Sequence, residues 1–198
     1  LAEFDASVRS VRASLEDFQF AQYIYLSSCD VYPDCSSPVS TKEEMALDVA
    51  RQSPYGFHKY LAELCARNVA KRWLIVRMGG FVGPGLKKNP IFDILHGGPL
   101  RLDPASELQY MHTDVFAQIL FDLMKNNIED QILNVCGDGT VRLEEVIGLV
   151  GRDVPVIEGS PLVRYEISID RLRSMIQVPE SRQIVLDFIT AEIHRIGS

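Results

Sequence analysis

No apolar run in the sequence is long enough to span a bilayer, and no signal-peptide pattern opens it. Repeats and low-complexity tracts are absent. Positive charge is scarce and scattered, and the formal net charge is -7. That balance argues against a nucleic-acid or anionic-membrane surface, so neither is expected as a partner. Cysteine pairing is missing too. Cys29, Cys35, Cys65 and Cys136 show none of the spacings of a metal site, so no metal is expected. Their strand-like and helical settings point to free thiols in a reducing, cytoplasmic compartment. The 198 residues and the ordinary hydrophobic content suffice for one domain with a core and a small lobe.

The most informative stretch is Ser53-Pro54-Tyr55-Gly56-Phe57-His58-Lys59. Ser53 suits a helix cap and Pro54 a first turn, and residues 60–70 carry no Gly or Pro. In a helix, Tyr55 and Lys59 share one face, a turn apart. A close ammonium favours the phenolate and lowers the phenol pKa from about 10. A phenol tuned that way can exchange a proton near neutral pH. Taken alone, the pair reads more readily as a surface helix with a cation beside a ring. The surroundings change that balance.

Val8, Val11, Leu15 and Phe18 form one stripe of a predicted helix over residues 5–18. Tyr23-Ile24-Tyr25-Leu26 reads as a buried strand opening at Ser27-Ser28 into a loop. Thr41 is expected to cap a helix running to residue 51. The tyrosine–lysine helix is expected to reach residue 72. Trp73-Leu74-Ile75-Val76-Arg77-Met78 is the next buried strand, and Ile132-Leu133-Asn134-Val135-Cys136 the third. The glycines of residues 79–85 match no phosphate-cradling spacing and read as a turn over the strand end. Short helices are expected at 91–95, 142–150 and 170–176, with longer ones at 114–125 and 181–196. Short strands are expected at 100–102, 108–111 and 165–169. The alternation implies an α/β protein with a parallel sheet. Three core strands leave long unpaired edges, so further strands are expected outside this sequence.

In this order the motifs resemble the extended short-chain dehydrogenase/reductase family, the NAD-dependent epimerases and dehydratases. Tyr25-Leu26-Ser27-Ser28-Cys29-Asp30-Val31-Tyr32 is similar to its Ser-Ser-x-x-Val-Tyr-Gly strand end. Tyr55-Gly56-Phe57-His58-Lys59 is similar to its Tyr-x-x-x-Lys signature. Residues 74–85 resemble its Arg-Pro-x-Asn-x-Tyr-Gly-Pro-Gly stretch, and Tyr110-Met111-His112-Thr113-Asp114-Val115 its Ile-His-Val-x-Asp-Val run. Asn134-Val135-Cys136-Gly137 with Arg142-Leu143-Glu144-Glu145-Val146 resembles the next block.

The resemblance implies a partial Rossmann-like, doubly wound parallel sheet with a small C-terminal substrate-binding lobe. Residues 1–85 and 114–150 would form the core, and 86–113 and 151–198 the lobe. It implies Ser28, Tyr55 and Lys59 as catalytic residues. Leu26, Tyr55, Lys59, Met78 and Gly79 would hold the cofactor, and Ser28, Cys29, Asp30 and Gly80 the substrate. The cofactor would be NAD or NADP at a site incomplete in this chain, because the family's Gly-x-x-Gly-x-x-Gly loop is absent. The implied activity is an epimerase or reductase on a sugar nucleotide or similar carbonyl or hydroxyl substrate. A dinucleotide-sensing module without turnover, or an inactive fragment, stays open. Cys29-Asp30 stands where the dehydratases carry an Asp-Glu pair, which disfavours 4,6-dehydration. Arg77 and Asp114 are expected to be a structural charge and a helix cap. The family's homodimer would pack residues 5–18 and 55–72 as a four-helix bundle.

Overall fold

The computed structural model describes residues 4–197. They fall into two units. The first runs up to Met78 and adds Leu120–Val135 and Ile167–Ser174; the second takes Gly79–Ile119, Cys136–Glu166 and the residues from Met175 onward.

The first unit opens with a π-helical turn, Asp5–Arg9, that continues into α1 (Ser10–Asp17). β1 (Tyr23–Ser28), α2 (Pro54–Val69) and β2 (Trp73–Met78) follow. β3 (Gly80–Val82), α3 (Pro90–His96), β4 (Glu107–Leu108) and β5 (Tyr110–His112) belong to the second unit. α4 (Thr113–Lys125) is shared between the two, and β6 (Gln131–Val135) returns to the first. β7 (Val141–Arg142), α5 (Leu143–Val150) and β8 (Arg164–Tyr165) are again in the second. α6 (Asp170–Arg173) belongs to the first and α7 (Ser181–Gly197) to the second.

The expected parallel sheet is present. Its order is β1-β2-β6, all parallel, with Ser28 opposite Met78 and Arg77 opposite Asn134. β2 is central and covered on both faces, which is why its sequence runs apolar without alternation; Leu74, Ile75 and Val76 are fully buried. Tyr25 and Ile75 pack against Ala62 and Ala66 of α2 and against Val11 and Leu15 of α1. The small alanines let α2 lie close to the sheet. Ser53 caps that helix as expected, its Oγ accepting from the Gly56 N–H at 3.0 Å, and Pro54 takes the first turn. A Cβ at position 56 would stand 2.0 Å from the Asp30 carbonyl oxygen. Glycine there lets the helix start hard against the 3-10 turn Cys29–Val31.

Arg77, the penultimate residue of this apolar strand, is a structural charge, as expected. Its side chain is 2% exposed and makes two bonds to the fully buried Glu63 of α2, Nε to Oε1 at 3.0 Å and Nη2 to Oε2 at 2.8 Å. Nη1 donates to the Tyr32 hydroxyl at 2.8 Å, which donates in turn to Asn134 Oδ1 at 2.9 Å. Asn134 Nδ2 then reaches the carbonyls of Thr41 at 2.6 Å and Ser168 at 2.9 Å.

That network explains a correction. No α-helix forms over residues 41–51; two 3-10 turns, Pro38–Thr41 and Val49–Arg51, stand at its ends. Thr41 Oγ1 accepts from the Ser168 N–H at 2.8 Å, and Glu43 Oε1 accepts from the Asn134 N–H at 3.0 Å. Buried polar partners outweigh a weak helix preference. The expected strand at 165–169 is likewise reduced to β8, because the Ser168 N–H is spent on Thr41. The strand expected at 100–102 is a single bridge from Leu100 to Val156.

In the second unit β3 pairs with β5, and β4 lies between β7 and β8. Ser181 at the head of α7 accepts from the Tyr110 N–H at 3.1 Å and donates to its carbonyl at 3.0 Å. Among the described residues no helix is long and apolar enough to cross a membrane.

Removing one partner of a buried ion pair strands the other charge. Glu63→Gln is expected to lower stability by about 3–5 kcal/mol in urea unfolding, and the double change Glu63→Leu with Arg77→Met to recover most of that loss. A loss under about 1 kcal/mol for the single change would show that the pair does not hold the unit together.

Candidate functional site

The site grows from the end of β1. Strand alternation turns Tyr25 and Ser27 inward, where both are buried, and leaves Leu26 on the other face, 37% exposed. Ser27 Oγ donates to Glu63 Oε1 at 2.6 Å, which ties the strand end to α2. Ser28 is the last residue of the strand. Its Oγ accepts from the Asp30 N–H at 3.2 Å and donates to Asp30 Oδ2 at 3.2 Å. Its hydroxyl also lies close enough to the phenol of Tyr55 to lower that group's proton affinity. The serine of the first strand and the tyrosine of α2, 27 positions apart in the sequence, therefore meet.

Lys59 lies one turn along α2 on the same face. Its Nζ is 5.8 Å from the centroid of the Tyr55 ring and 5.3 Å from that of Tyr25, and it donates to the Leu26 carbonyl at 3.3 Å. Burial lowers the proton affinity of the amine, and Glu63 partly restores it. Tyr55 departs from the sequence expectation. Its pKa is raised, not lowered: burial comes first, the Asp30 carboxylate adds to it, and the Ser28 hydrogen bond opposes both. The ammonium donates to the Leu26 carbonyl, while the negative charge of Asp30 acts on the phenol. At neutral pH the phenol is protonated, poised to give a proton.

Met78 closes β2 opposite Ser28. Gly79 follows it into the second unit, and Gly80 opens β3, where a Cβ would stand 2.9 Å from the Gln109 carbonyl oxygen. Asp30 is exposed in the turn beside Ser28. Cys29 is fully buried with its Sγ 3.3 Å from the Arg77 carbonyl, so its thiol faces the core. None of the four cysteines forms a disulfide, and burial pushes the Cys136 thiol up to about 12, which leaves it inert. Glu63, Tyr32 and Gly56 were not singled out in the sequence. Arg77 inside an apolar strand was the available signal, since a buried guanidinium demands a buried acid.

Leu26 and the 41%-exposed Tyr55 present apolar surface beside a lysine ammonium. An apolar step flanked by one cation fits a flat heteroaromatic ring carried on a ribose, with the ammonium facing the sugar hydroxyls. The residues present thus suit the nicotinamide end of a dinucleotide.

Residues 6–93 match the NAD dependent epimerase/dehydratase family. No curated protein matches the chain by sequence. Among solved structures, a UDP-galactose 4-epimerase superposes with a TM-score of 0.79 at 17% identity, covering 98% of this chain and 71% of its own. The UDP-glucuronic acid 4-epimerase of Bacillus cereus, solved with UDP-glucuronic acid and NAD, gives 0.77 at 17% identity, covering 96% and 67%. RMD from Pseudomonas aeruginosa, solved with NADPH, gives 0.72 at 17% identity, covering 95% and 74%. At these identities the matches establish the fold.

The Asp30 carboxylate should hold the Tyr55 proton in place. Asp30→Asn is expected to move the Tyr55 titration downward, followed by NMR of tyrosine labelled at Cζ with the resonance assigned through Tyr55→Phe. An unchanged or higher value would remove Asp30 as a cause.

Proposed function

We propose that this chain, whose residues 6–93 belong to the NAD-dependent epimerase/dehydratase family, carries the proton-transfer centre of an NAD(P)-dependent epimerase or reductase acting on a nucleotide sugar or a similar carbonyl or hydroxyl substrate. The observation that carries this reading is the Ser28 hydroxyl beside the Tyr55 phenol at the end of β1, with Lys59 one turn away. Ser28 holds the substrate oxygen. Tyr55, protonated at rest, delivers a proton to that oxygen as a carbonyl becomes a hydroxyl, and takes it back in the reverse direction. Lys59 binds the nicotinamide ribose. Leu26, Met78 and Gly79 wall the nicotinamide, while Asp30 and Gly80 border the substrate. When bound, the dinucleotide supplies hydride acceptance and return.

The similar structures support both cofactor forms and a nucleotide-sugar substrate: one was solved with NAD and UDP-glucuronic acid, another with NADPH. Residues 86–113 and 151–198 are the proposed substrate lobe. Free thiols suit a reducing, cytoplasmic setting. The raised proton affinity of Tyr55 also suits a second reading, a module that binds dinucleotide without turnover. We further propose a homodimer through α1 and α2, supported by Phe57 and Leu64 standing exposed on α2.

In the intact protein, Tyr55→Phe is expected to cut turnover of UDP-sugars by about 10²–10⁴-fold while dinucleotide binding persists. Equal rates in the two proteins would overturn the catalytic reading. Dinucleotide binding by the unaltered protein with no hydride exchange would favour the sensing module. Light scattering is expected to give twice the chain mass; a mass of one chain would remove the dimer.

A further inference from the structure

Tyr25 carries a feature that core packing does not explain. Its side chain is 7% exposed and belongs to the apolar cluster between α1, α2 and the sheet. Its hydroxyl is buried and has no hydrogen-bond partner among the described residues. A phenylalanine would fill the same space without stranding a polar atom, which is costly to bury unpaired. What the ring does have is a cation. Lys59 Nζ stands 5.3 Å from its centroid and 5.8 Å from that of Tyr55, both within the reach of a cation–ring attraction. The same ammonium donates to the carbonyl of Leu26, the residue after Tyr25. The side chain is therefore held by one strand at two points and by a ring of its own helix at a third.

We propose that Tyr25 is a positioning residue for Lys59: its ring and the Tyr55 ring form a two-sided clamp that keeps the ammonium charged and aimed at the end of β1. This rests on the role given to Lys59 above and adds a residue to it. The space for the clamp comes from Ala62 and Ala66, whose small side chains let a phenol lie under α2 beside Lys59. The titratable groups around this corner are Glu63 and Tyr55 on α2, Cys65 on the same helix, Tyr23 on β1, and Asp30 in the turn beyond it. Glu63 is committed to Arg77 and Ser27, so it cannot swing to serve as the lysine's counter-ion. Burial lowers the proton affinity of Lys59 and the charge of Glu63 opposes it; a ring face on each side adds to that opposition by favouring the cation.

The test uses the intact protein with no dinucleotide or sugar present. Lysines are labelled by reductive ¹³C-methylation, and the Lys59 resonance is assigned with Lys59→Arg. Tyr25→Phe keeps the ring and deletes the orphan hydroxyl; it is expected to leave the Lys59 titration where it is and to preserve or raise the unfolding midpoint. Tyr25→Leu keeps an apolar filling without a ring face and is expected to lower the Lys59 pKa by about 0.5 to 1 pH unit. Tyr25→Met serves the same purpose should the leucine variant fail to fold. Titration unchanged in the ringless variants overturns the clamp, and an equal shift in Tyr25→Phe overturns it too by tracing the effect to the hydroxyl. The readout needs no turnover. A failed clamp leaves the Tyr55→Phe prediction intact, and a failed Tyr55→Phe prediction leaves the clamp intact.

Discussion

The buried pair of Arg77 and Glu63 sets the geometry of everything nearby. A guanidinium buried near the end of a central strand has almost no access to water and must find its partners in fixed places. Two of its bonds go to one carboxylate, and a planar fork matched to a carboxylate tolerates little rotation. Glu63 is thereby pinned, and with it the roll of α2 about its axis. Lys59 and Tyr55 sit four and eight residues earlier on that helix, so they lie along the same stripe. Locking the third residue of the stripe in the core delivers the first two to the end of β1. Ser27 confirms the alignment from the other side, donating to the same carboxylate one residue before Ser28.

Roll alone does not place a helix; it also needs a fixed height and distance. Gly56 provides the close approach. With no Cβ it accepts the Asp30 carbonyl at a separation no other residue could allow, so the first turn of α2 rests directly on the turn that follows β1. The Ser53 cap and Pro54 define where the helix starts, which fixes how far Tyr55 projects past that contact. The meeting of Ser28 and Tyr55 is then the product of two independent constraints, one at each end of a short lever.

How much of this could be read beforehand depends on the range of the interaction. The three parallel strands, the α2 cap and the shared face of Tyr55 and Lys59 follow from local periodicity and end signals, and the sequence carries those openly. The loop over residues 41–51 does not, because its conformation answers to Asn134 and Ser168, roughly a hundred residues away in the chain. The direction of the Tyr55 shift fails for a related reason. Spacing on a helix tells which side chains are neighbours, yet the charge that dominates a phenol depends on which neighbour is otherwise engaged. Lys59 is occupied by the Leu26 carbonyl, whereas Asp30, from a different element, faces the phenol. Nor does motif order reveal that the Cys29 thiol is turned to the core, its Sγ 3.3 Å from the Arg77 carbonyl.

One last consequence concerns how readily the site can accept a substrate oxygen. Ser28 is fully engaged at rest, accepting from the Asp30 N–H, donating toward its carboxylate and touching Tyr55. The hydroxyl-to-carboxylate contact is 3.2 Å, long for such a bond, and Asp30 is exposed. Water can take over the carboxylate at little cost when the serine hydroxyl turns away. The phenol, by contrast, is held protonated by burial and by that same carboxylate, so its proton stays available while the serine re-aims. In the proposed role, a hydroxyl that is cheap to redirect beside a proton that is costly to lose would let a carbonyl oxygen be captured first and protonated second.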